Sequence, residues 1–252
     1  MFRPVHSFNS DGVEIAYETA GEGQPILLIH GFASNGRVNW WDTGWVKTLV
    51  GAERRVITMD NRGHGASQKL YDPALYSAPE MAEDARRLLD HLQLERADVM
   101  GYSMGARLSA FLLINHPDRI GHAVFAGLAS RMLTGVGRGD EIASALEAPS
   151  LADVTDPESR SFRIFAEQTK SDLRALAACM RAPPVKITAA DFAHHSVPVL
   201  VVAGDQDTIA GDVPTLVGAI PGAQGVTLSG RGHMNAVGDE RYKQAMLKFI
   251  NA

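Results

Sequence analysis

The chain has 252 residues, of which 45% are hydrophobic and 21% are charged, a composition typical of one globular domain with a sizeable core. The formal net charge is −5 and charges of both signs are intermixed, which argues against a nucleic-acid-binding protein. The longest apolar runs fall far short of the roughly 20 residues that cross a membrane, and the single cysteine excludes an intramolecular disulfide.

The first twelve residues are polar and lack the apolar stretch and cleavage site of a secretory signal. We therefore expect a cytoplasmic protein that does not associate with membranes. Its expected partner is a small, neutral or apolar molecule, and the sequence leaves a homo-oligomer open.

Short apolar runs along the chain predict the strands of a sheet. Residues 5–8 and 13–18 alternate in polarity around the turn Asn9-Ser10-Asp11-Gly12, a pattern that predicts an antiparallel hairpin. Further runs predict strands that are buried on both faces, at residues 26–29, 56–59, 97–101, 123–126, 199–203 and 226–228. Helical patterns occupy residues 79–92, 104–115 and 240–250. This alternation predicts an α/β fold with a mostly parallel central sheet, an antiparallel N-terminal hairpin and helices on both faces.

One region breaks the alternation of strands and helices. Between residues 130 and 196 the sequence shows helical patterns, with glycines and prolines between them, and no convincing strand. We therefore predict a core domain at residues 1–130 and 196–252 and an inserted helical cap at residues 131–195. Apolar side chains of the insertion either line a pocket or pack in a core, and they include Met132, Leu133, Phe162, Phe165, Leu176 and Met180.

The strongest chemical signal is Gly101-Tyr102-Ser103-Met104-Gly105, between a predicted strand and a predicted helix. A nucleophilic serine needs a tight turn that projects its oxygen into a cleft, and flanking glycines allow that turn without a Cβ clash. The sequence therefore predicts Ser103 as a catalytic nucleophile.

A serine hydroxyl needs a base to take its proton, usually a histidine oriented by a carboxylate. His233 follows the last predicted strand, where a loop can bring its ring over Ser103. Asp207 follows the strand at residues 199–203 and is the predicted acid, with Asp205 as the alternative.

Four motifs, in chain order, resemble those of the α/β-hydrolase superfamily. They are His30-Gly31-Phe32, the stretch from Asp60 to Ser67, the Ser103 turn, and Gly204 to Asp207 followed by Gly230-Arg231-Gly232-His233. The resemblance covers essentially the whole chain, including the helical insertion, and it implies that the backbone N–H groups of Phe32 and Met104 form the oxyanion hole. For His30 and His64 we expect a structural role, in which they hold loop backbone together. Phe32 stands where another glycine would mark the loop associated with bulky tertiary-alcohol esters, so hindered esters are not the expected substrates.

The sequence therefore predicts hydrolysis of a small carboxylic ester, thioester or lactone, with no cofactor and no metal. Hydrolysis of a carbon–carbon bond or an enol-lactone with the same triad is the enzymatic alternative. A non-catalytic protein that uses the fold only to bind a ligand is the alternative from another class. Serine at position 103 argues against haloalkane dehalogenases and epoxide hydrolases, whose nucleophile is an aspartate.

Overall fold

The central sheet has eight strands in the part of the chain that the structure, a computed structural model, describes, residues 4–252. The strands are β1 (His6–Ser10), β2 (Val13–Ala20), β3 (Gln24–Ile29), β4 (Arg54–Met59), β5 (Ala97–Tyr102), β6 (Ile120–Ala126), β7 (Val199–Gly204) and β8 (Gln224–Leu228). Their order across the sheet is β1-β2-β4-β3-β5-β6-β7-β8. The pairs β1–β2 and β2–β4 are antiparallel and the other neighbours are parallel. The predicted fold class is confirmed.

The helices cover both faces of the sheet and fill the long connections. They are α1 (Trp45–Gly51), α2 (Ala78–His91), α3 (Met104–Asn115), α4 (Arg131–Thr134), α5 (Gly139–Glu147), α6 (Pro157–Gln168), α7 (Leu173–Met180), α8 (Val213–Ala219), α9 (His233–Ala236) and α10 (Glu240–Ile250). Shorter helical turns lie at Arg37–Trp41, Pro73–Tyr76, Pro117–Arg119, Leu151–Asp153 and Ala189–Phe192. Within residues 4–252, every helix is too short or too polar to span a lipid bilayer.

Alternate side chains of the parallel strands pack into two separate hydrophobic cores, one on each face of the sheet. This explains why the sequence of these strands contains continuous apolar runs. In β3, Leu27 and Ile29 pack with α2, α3 and α8 on one face, and Ile26 and Leu28 pack with α1 and α10 on the other. This burial on both faces sets the sheet between two helical layers. The carboxyl ends of the parallel strands therefore meet at one edge, where loops can carry a site.

The N-terminal turn is shorter than predicted. Asn9 and Ser10 belong to β1 and pair with Glu14 and Val13, so the turn consists of Asp11 and Gly12 alone, with φ values of 51° and 88°. Polar residues are tolerated at the strand end because the buried hydroxyl of Ser10 donates to the Asp84 carboxylate of α2 at 2.5 Å.

The stretch between β6 and β7 contains α4 to α7 and two short helical turns, and none of its residues forms a strand. We call residues 131–195 the cap segment. Helices α5, α6 and α7 form a third apolar cluster that packs against Phe32 and Ala33 of the loop after β3. The division of the chain into a core domain and a cap stays a prediction.

Candidate active site

Ser103 occupies a sharp turn between the end of β5 and the start of α3. Its backbone has φ 55° and ψ −115°, a conformation that residues other than glycine rarely adopt. The Ser103 N–H donates to the carbonyl of Ala126 in β6 at 2.7 Å, which holds the turn at the carboxyl edge of the sheet. A strained strand-turn-helix of this kind lifts the serine oxygen out of the sheet.

The two glycines of the Ser103 motif are required sterically. A Cβ on Gly101 would lie 2.1 Å from the carbonyl oxygen of Gly105, and one on Gly105 would lie 2.0 Å from the carbonyl oxygen of Ile29. Both obstacles are backbone atoms, which cannot rotate away. The glycines thus let α3 start directly against β3 and β5, which is what makes the turn tight enough to expose Ser103.

His233 is the first residue of α9, on the connection that follows β8. Its ring bridges two side chains, with Nε2 3.0 Å from Ser103 Oγ and Nδ1 2.9 Å from Asp207 Oδ2. The Tyr102 hydroxyl donates to the His233 carbonyl at 2.5 Å, so the residue beside the serine also anchors the histidine backbone. The His233 ring is thereby held between a hydroxyl and a carboxylate.

The Asp207 side chain is completely buried on the loop after β7. Its Oδ1 accepts from the backbone N–H groups of Ile209 at 3.0 Å and Ala210 at 2.9 Å, which leaves Oδ2 for His233. Asp205, the alternative acid, is exposed and accepts from the Gly230 N–H at 2.7 Å. The structure therefore places Asp207, and not Asp205, against the histidine.

The loop after β3 passes directly over Ser103. A Cβ on Gly31 would lie 3.2 Å from the Tyr102 carbonyl oxygen, which is tighter than most Cβ contacts, so glycine favours this close approach. The Gly31 N–H donates to Asn39 Oδ1 at 3.0 Å. Within residues 4–252, the N–H groups of Phe32 and Met104 donate to no protein acceptor. Met104 follows Ser103 in the chain, and Phe32 lines the same cavity as Ser103. An oxyanion hole would require donors in such positions.

Two buried, neutral histidines, His30 and His64, pack beneath the loop that follows β3 and hydrogen-bond to backbone groups. His30 Nδ1–H donates to the Gly31 carbonyl at 2.7 Å, while Nε2 accepts from the Asn61 N–H at 3.0 Å. Burial lowers the pKa of His30 to about 4 and that of His64 to about 3. His64 Nδ1–H in turn donates to the Arg62 carbonyl at 2.9 Å. Both rings bind loop backbone, as expected from the sequence.

A cavity of about 200 Å³ opens beside Ser103 and His233. Its other walls are mostly apolar and come from Gly31, Phe32, Ser34, Val38, Asn39, Thr43, Tyr102, Phe162, Phe165, Met234 and Val237. Phe162 and Phe165 belong to α6 in the cap segment. The sequence left open whether they line a pocket or pack in a core, and both of them line this cavity. Leu176 and Met132 instead are buried in apolar clusters.

Trp40, Trp41 and Trp45 do not line this cavity. Trp40 and Trp45 are fully buried, and Trp45 packs edge to face on Tyr242 of α10 with ring centroids 4.5 Å apart. Their neighbours Val38 and Thr43 form the wall instead.

The sequence did not single out Asn39 or Tyr102, which position the Gly31 loop and the His233 backbone. Asn39 has a recognisable signal, since it is a polar residue followed by two tryptophans in a buried stretch. Tyr102 has none, because any residue can stand between Gly101 and Ser103 in the motif. Among residues 4–252, no three His, Cys, Asp or Glu side chains lie close enough together to hold a metal ion.

The sheet order, the strained serine turn and the helical layers define an α/β-hydrolase. A family model for the alpha/beta hydrolase fold matches residues 24–155, and the chain belongs to that family. The solved structure of a hydrolase from Pseudomonas aeruginosa PA01 superimposes with a TM-score of 0.81, at 26% identity, covering 98% of each chain.

Curated relatives include enzymes with different named reactions. The chain is 27% identical over 228 residues to the non-heme chloroperoxidase CPO-A1 of Kitasatospora aureofaciens, covering 79% of this chain and 80% of that protein. It is 33% identical over 118 residues to 2-hydroxymuconate semialdehyde hydrolase of Pseudomonas sp. strain CF600, covering 47% of this chain and 41% of that protein. Across such relatives the chain spans from 27% to 80% of their length.

Proposed function

We propose that this protein is a serine hydrolase that cleaves a small carboxylic ester, thioester or lactone through an acyl-enzyme on Ser103. One observation carries the proposal. A continuous chain of hydrogen bonds runs from the Ser103 hydroxyl through His233 to the buried Asp207 carboxylate. The serine end of this chain lies at a cavity that is large enough for a small acyl group.

The geometry supports proton transfer in both halves of the reaction. His233 Nε2 takes the proton as Ser103 Oγ attacks the substrate carbonyl carbon, and Asp207 stabilises the imidazolium that forms. The same proton then goes to the leaving oxygen or sulfur, which leaves the acyl group on Ser103. A water molecule then attacks the acyl carbonyl carbon and gives its proton to His233. His233 passes that proton to Ser103 Oγ as the bond between Oγ and the acyl carbon breaks, which releases the acid. The side chains and water are sufficient for this cycle.

The carbonyl oxygen becomes negatively charged during each attack and needs donors that are already in place. We assign that role to the N–H groups of Phe32 and Met104, which have no competing acceptor in residues 4–252. Fixed donors of this type contribute about 10²- to 10³-fold each to kcat, because they need no reorganisation when the charge develops.

The size of the cavity favours a short acyl group. Its volume of about 200 Å³ corresponds to roughly seven water molecules at about 30 Å³ each. The walls contributed by Val38, Phe162, Phe165 and Val237 are apolar, so a small unbranched or cyclic acyl group is preferred over a polar one.

Hydrolysis of a carbon–carbon bond in a ring-cleavage dienoate is the second candidate, and the similarity to a 2-hydroxymuconate semialdehyde hydrolase favours it. Such a substrate carries a carboxylate, which needs a cationic partner when it enters an apolar pocket. Among the described residues that line the cavity, none is an arginine or a lysine. We therefore rank the ester, thioester or lactone first.

The test compares initial rates on p-nitrophenyl acetate, a thioacetate, γ-butyrolactone and a ring-cleavage dienoate. Wild type, Ser103→Ala and the control Ser144→Ala are assayed together, since Ser144 is an exposed serine of α5 in the cap segment. We expect turnover of the ester, the thioester or the lactone in wild type and Ser144→Ala, and none in Ser103→Ala. A faster dienoate reaction would favour the second candidate, and a folded protein without any turnover would favour a ligand-binding role.

A further inference from the structure

Helix α6 of the cap segment ends directly on the loop that follows β3. Thr169 is the residue after the helix, and its hydroxyl lies 2.8 Å from the carbonyl oxygen of Ala33. The Ser171 hydroxyl lies 3.5 Å from the same carbonyl and 2.9 Å from Thr169 Oγ1. The contacts with Ala33 join residues 136 and 138 positions apart in the chain.

The single hydroxyl proton of Thr169 has three carbonyls within reach. The carbonyls of Phe165 and Ala166 are each 3.1 Å away, but they already accept from the N–H groups of Thr169 and Ser171. The Ala33 carbonyl accepts from no donor in residues 4–252 other than the two hydroxyls. Because an unpaired buried carbonyl is unfavourable, the proton belongs on the bond to Ala33.

Ala33 is in a conformation that its neighbours must maintain. It is completely buried, and its φ is 57°, in the left-handed region that residues with a side chain seldom occupy. A strained residue persists only where the surrounding contacts hold it. Ala33 directly follows Phe32, and only the backbone torsions of these two residues separate the Ala33 carbonyl from the Phe32 N–H, so a shift of the Ala33 backbone can be transmitted to that N–H.

We propose that Thr169 is a positioning residue that holds the Ala33 carbonyl and thereby keeps the Phe32 N–H directed at the reacting carbonyl oxygen. The catalytic part of this inference rests on the proposed function. The same helix carries Phe162 and Phe165, which line the cavity, and Phe162 contacts the Phe32 ring with centroids 5.9 Å apart. Helix α6 therefore joins the wall that contacts the acyl group to the loop that stabilises its oxyanion.

From this arrangement we expect loss of the Thr169 hydroxyl to change kcat and not KM. The hydroxyl is not among the groups that line the cavity, so its loss leaves ground-state binding nearly unchanged. A loosened Phe32 N–H weakens an interaction that is strongest in the transition state. Since complete removal of such a donor lowers kcat by about 10²- to 10³-fold, we expect partial misplacement to lower it by about 10-fold.

The experiment compares Thr169→Val, which replaces the hydroxyl by a methyl group, with Thr169→Ser, which keeps it. Thr188→Val is the matched control, because Thr188 is an exposed threonine of the same segment whose hydroxyl bonds to Asp191 at 2.8 Å, away from the loop. On p-nitrophenyl acetate we expect kcat to fall about 10-fold in Thr169→Val with KM within about twofold. Thr169→Ser and Thr188→Val should stay near wild type.

Hydrogen–deuterium exchange of the peptide that covers residues 31–38 gives a readout that needs no turnover. We expect this peptide to exchange about 10-fold faster in Thr169→Val and at the wild-type rate in the other two variants, because a bond to a buried carbonyl is lost in only one of them. Wild-type exchange and wild-type kcat in Thr169→Val would overturn the inference. If wild type itself has no turnover and does not react with a fluorophosphonate, the proposed function is wrong, and unchanged or faster exchange still decides whether Thr169 holds the loop.

Discussion

Replacing Asp207 by asparagine tests the proposed triad because the site has room for only one arrangement of the new amide. The present Oδ1 accepts from two backbone N–H groups and Oδ2 accepts from His233 Nδ1–H. In Asp207→Asn only one acceptor atom remains, and the two backbone donors occupy it. The amide NH₂ then faces His233 Nδ1, which must become an acceptor.

The histidine consequently carries its proton on Nε2, 3.0 Å from Ser103 Oγ, and cannot take the serine proton. Turning the amide over would restore the tautomer but would set its NH₂ against the N–H groups of Ile209 and Ala210, losing two buried hydrogen bonds at about 1–3 kcal/mol each. In Ser-His-Asp triads the wrong tautomer lowers kcat by about 10⁴-fold, which corresponds to about 5.5 kcal/mol in the activation free energy. The fold should be nearly unaffected, since shape and two of the three hydrogen bonds are kept.

The assay is the steady-state hydrolysis of p-nitrophenyl acetate, with urea unfolding measured on the same preparations. Asp205→Asn is the matched control, because Asp205 lies two residues away, is exposed, and its carboxylate accepts from the Gly230 N–H. We expect kcat to fall about 10⁴-fold in Asp207→Asn and to remain near wild type in Asp205→Asn. A kcat within about tenfold of wild type in Asp207→Asn, or equal losses in both variants, would refute the tautomer argument.

Three further predictions concern the turn, the loop support and the cavity. Gly105→Ala places a Cβ 2.0 Å from the Ile29 carbonyl oxygen, and we expect at least about 3 kcal/mol of destabilisation in urea unfolding; a stability within about 1 kcal/mol would contradict the steric account. Burial lowers the pKa of His30 from 6.5 to about 4, so the unfolded chain binds a proton in that pH window that the folded chain does not. His30 should therefore contribute a loss of about 3 kcal/mol of stability as the pH drops from 7.5 to 4, in addition to the loss from His64. His30→Asn should remove the His30 share of the pH dependence, and an identical dependence in the variant would count against it. Phe165→Ala enlarges the cavity, and we expect kcat/KM for an octanoate ester relative to an acetate ester to rise by about tenfold, whereas an unchanged ratio would show that Phe165 does not limit acyl length.

The serine turn could be predicted because its requirements are local. Gly101 and Gly105 stand at the two places where a Cβ would meet backbone, so the motif records the steric demand directly. The strand cores were also predictable, because burial on both faces leaves a continuous apolar run. The strand ends were harder to predict. Strand β6 starts at Ile120, three residues before the predicted start, because Gly121 and His122 extend the strand but interrupt the apolar run.

The remaining features depend on contacts between distant parts of the chain. Phe165 and Leu176 are both apolar residues on cap-segment helices, yet Phe165 lines the cavity and Leu176 is buried against α5 and α6 neighbours. Nothing in their local sequence distinguishes them. The bond between Thr169 and Ala33 joins two segments that only the packed structure brings together.

The most direct test of the central claim is the intact mass of the protein after treatment with a fluorophosphonate probe, with wild type and Ser103→Ala compared side by side. The account predicts one adduct on wild type and none on Ser103→Ala, because His233 activates only the hydroxyl that it contacts at 3.0 Å. An unmodified wild type, or an adduct that persists in Ser103→Ala, would contradict the assignment of Ser103 as an activated nucleophile.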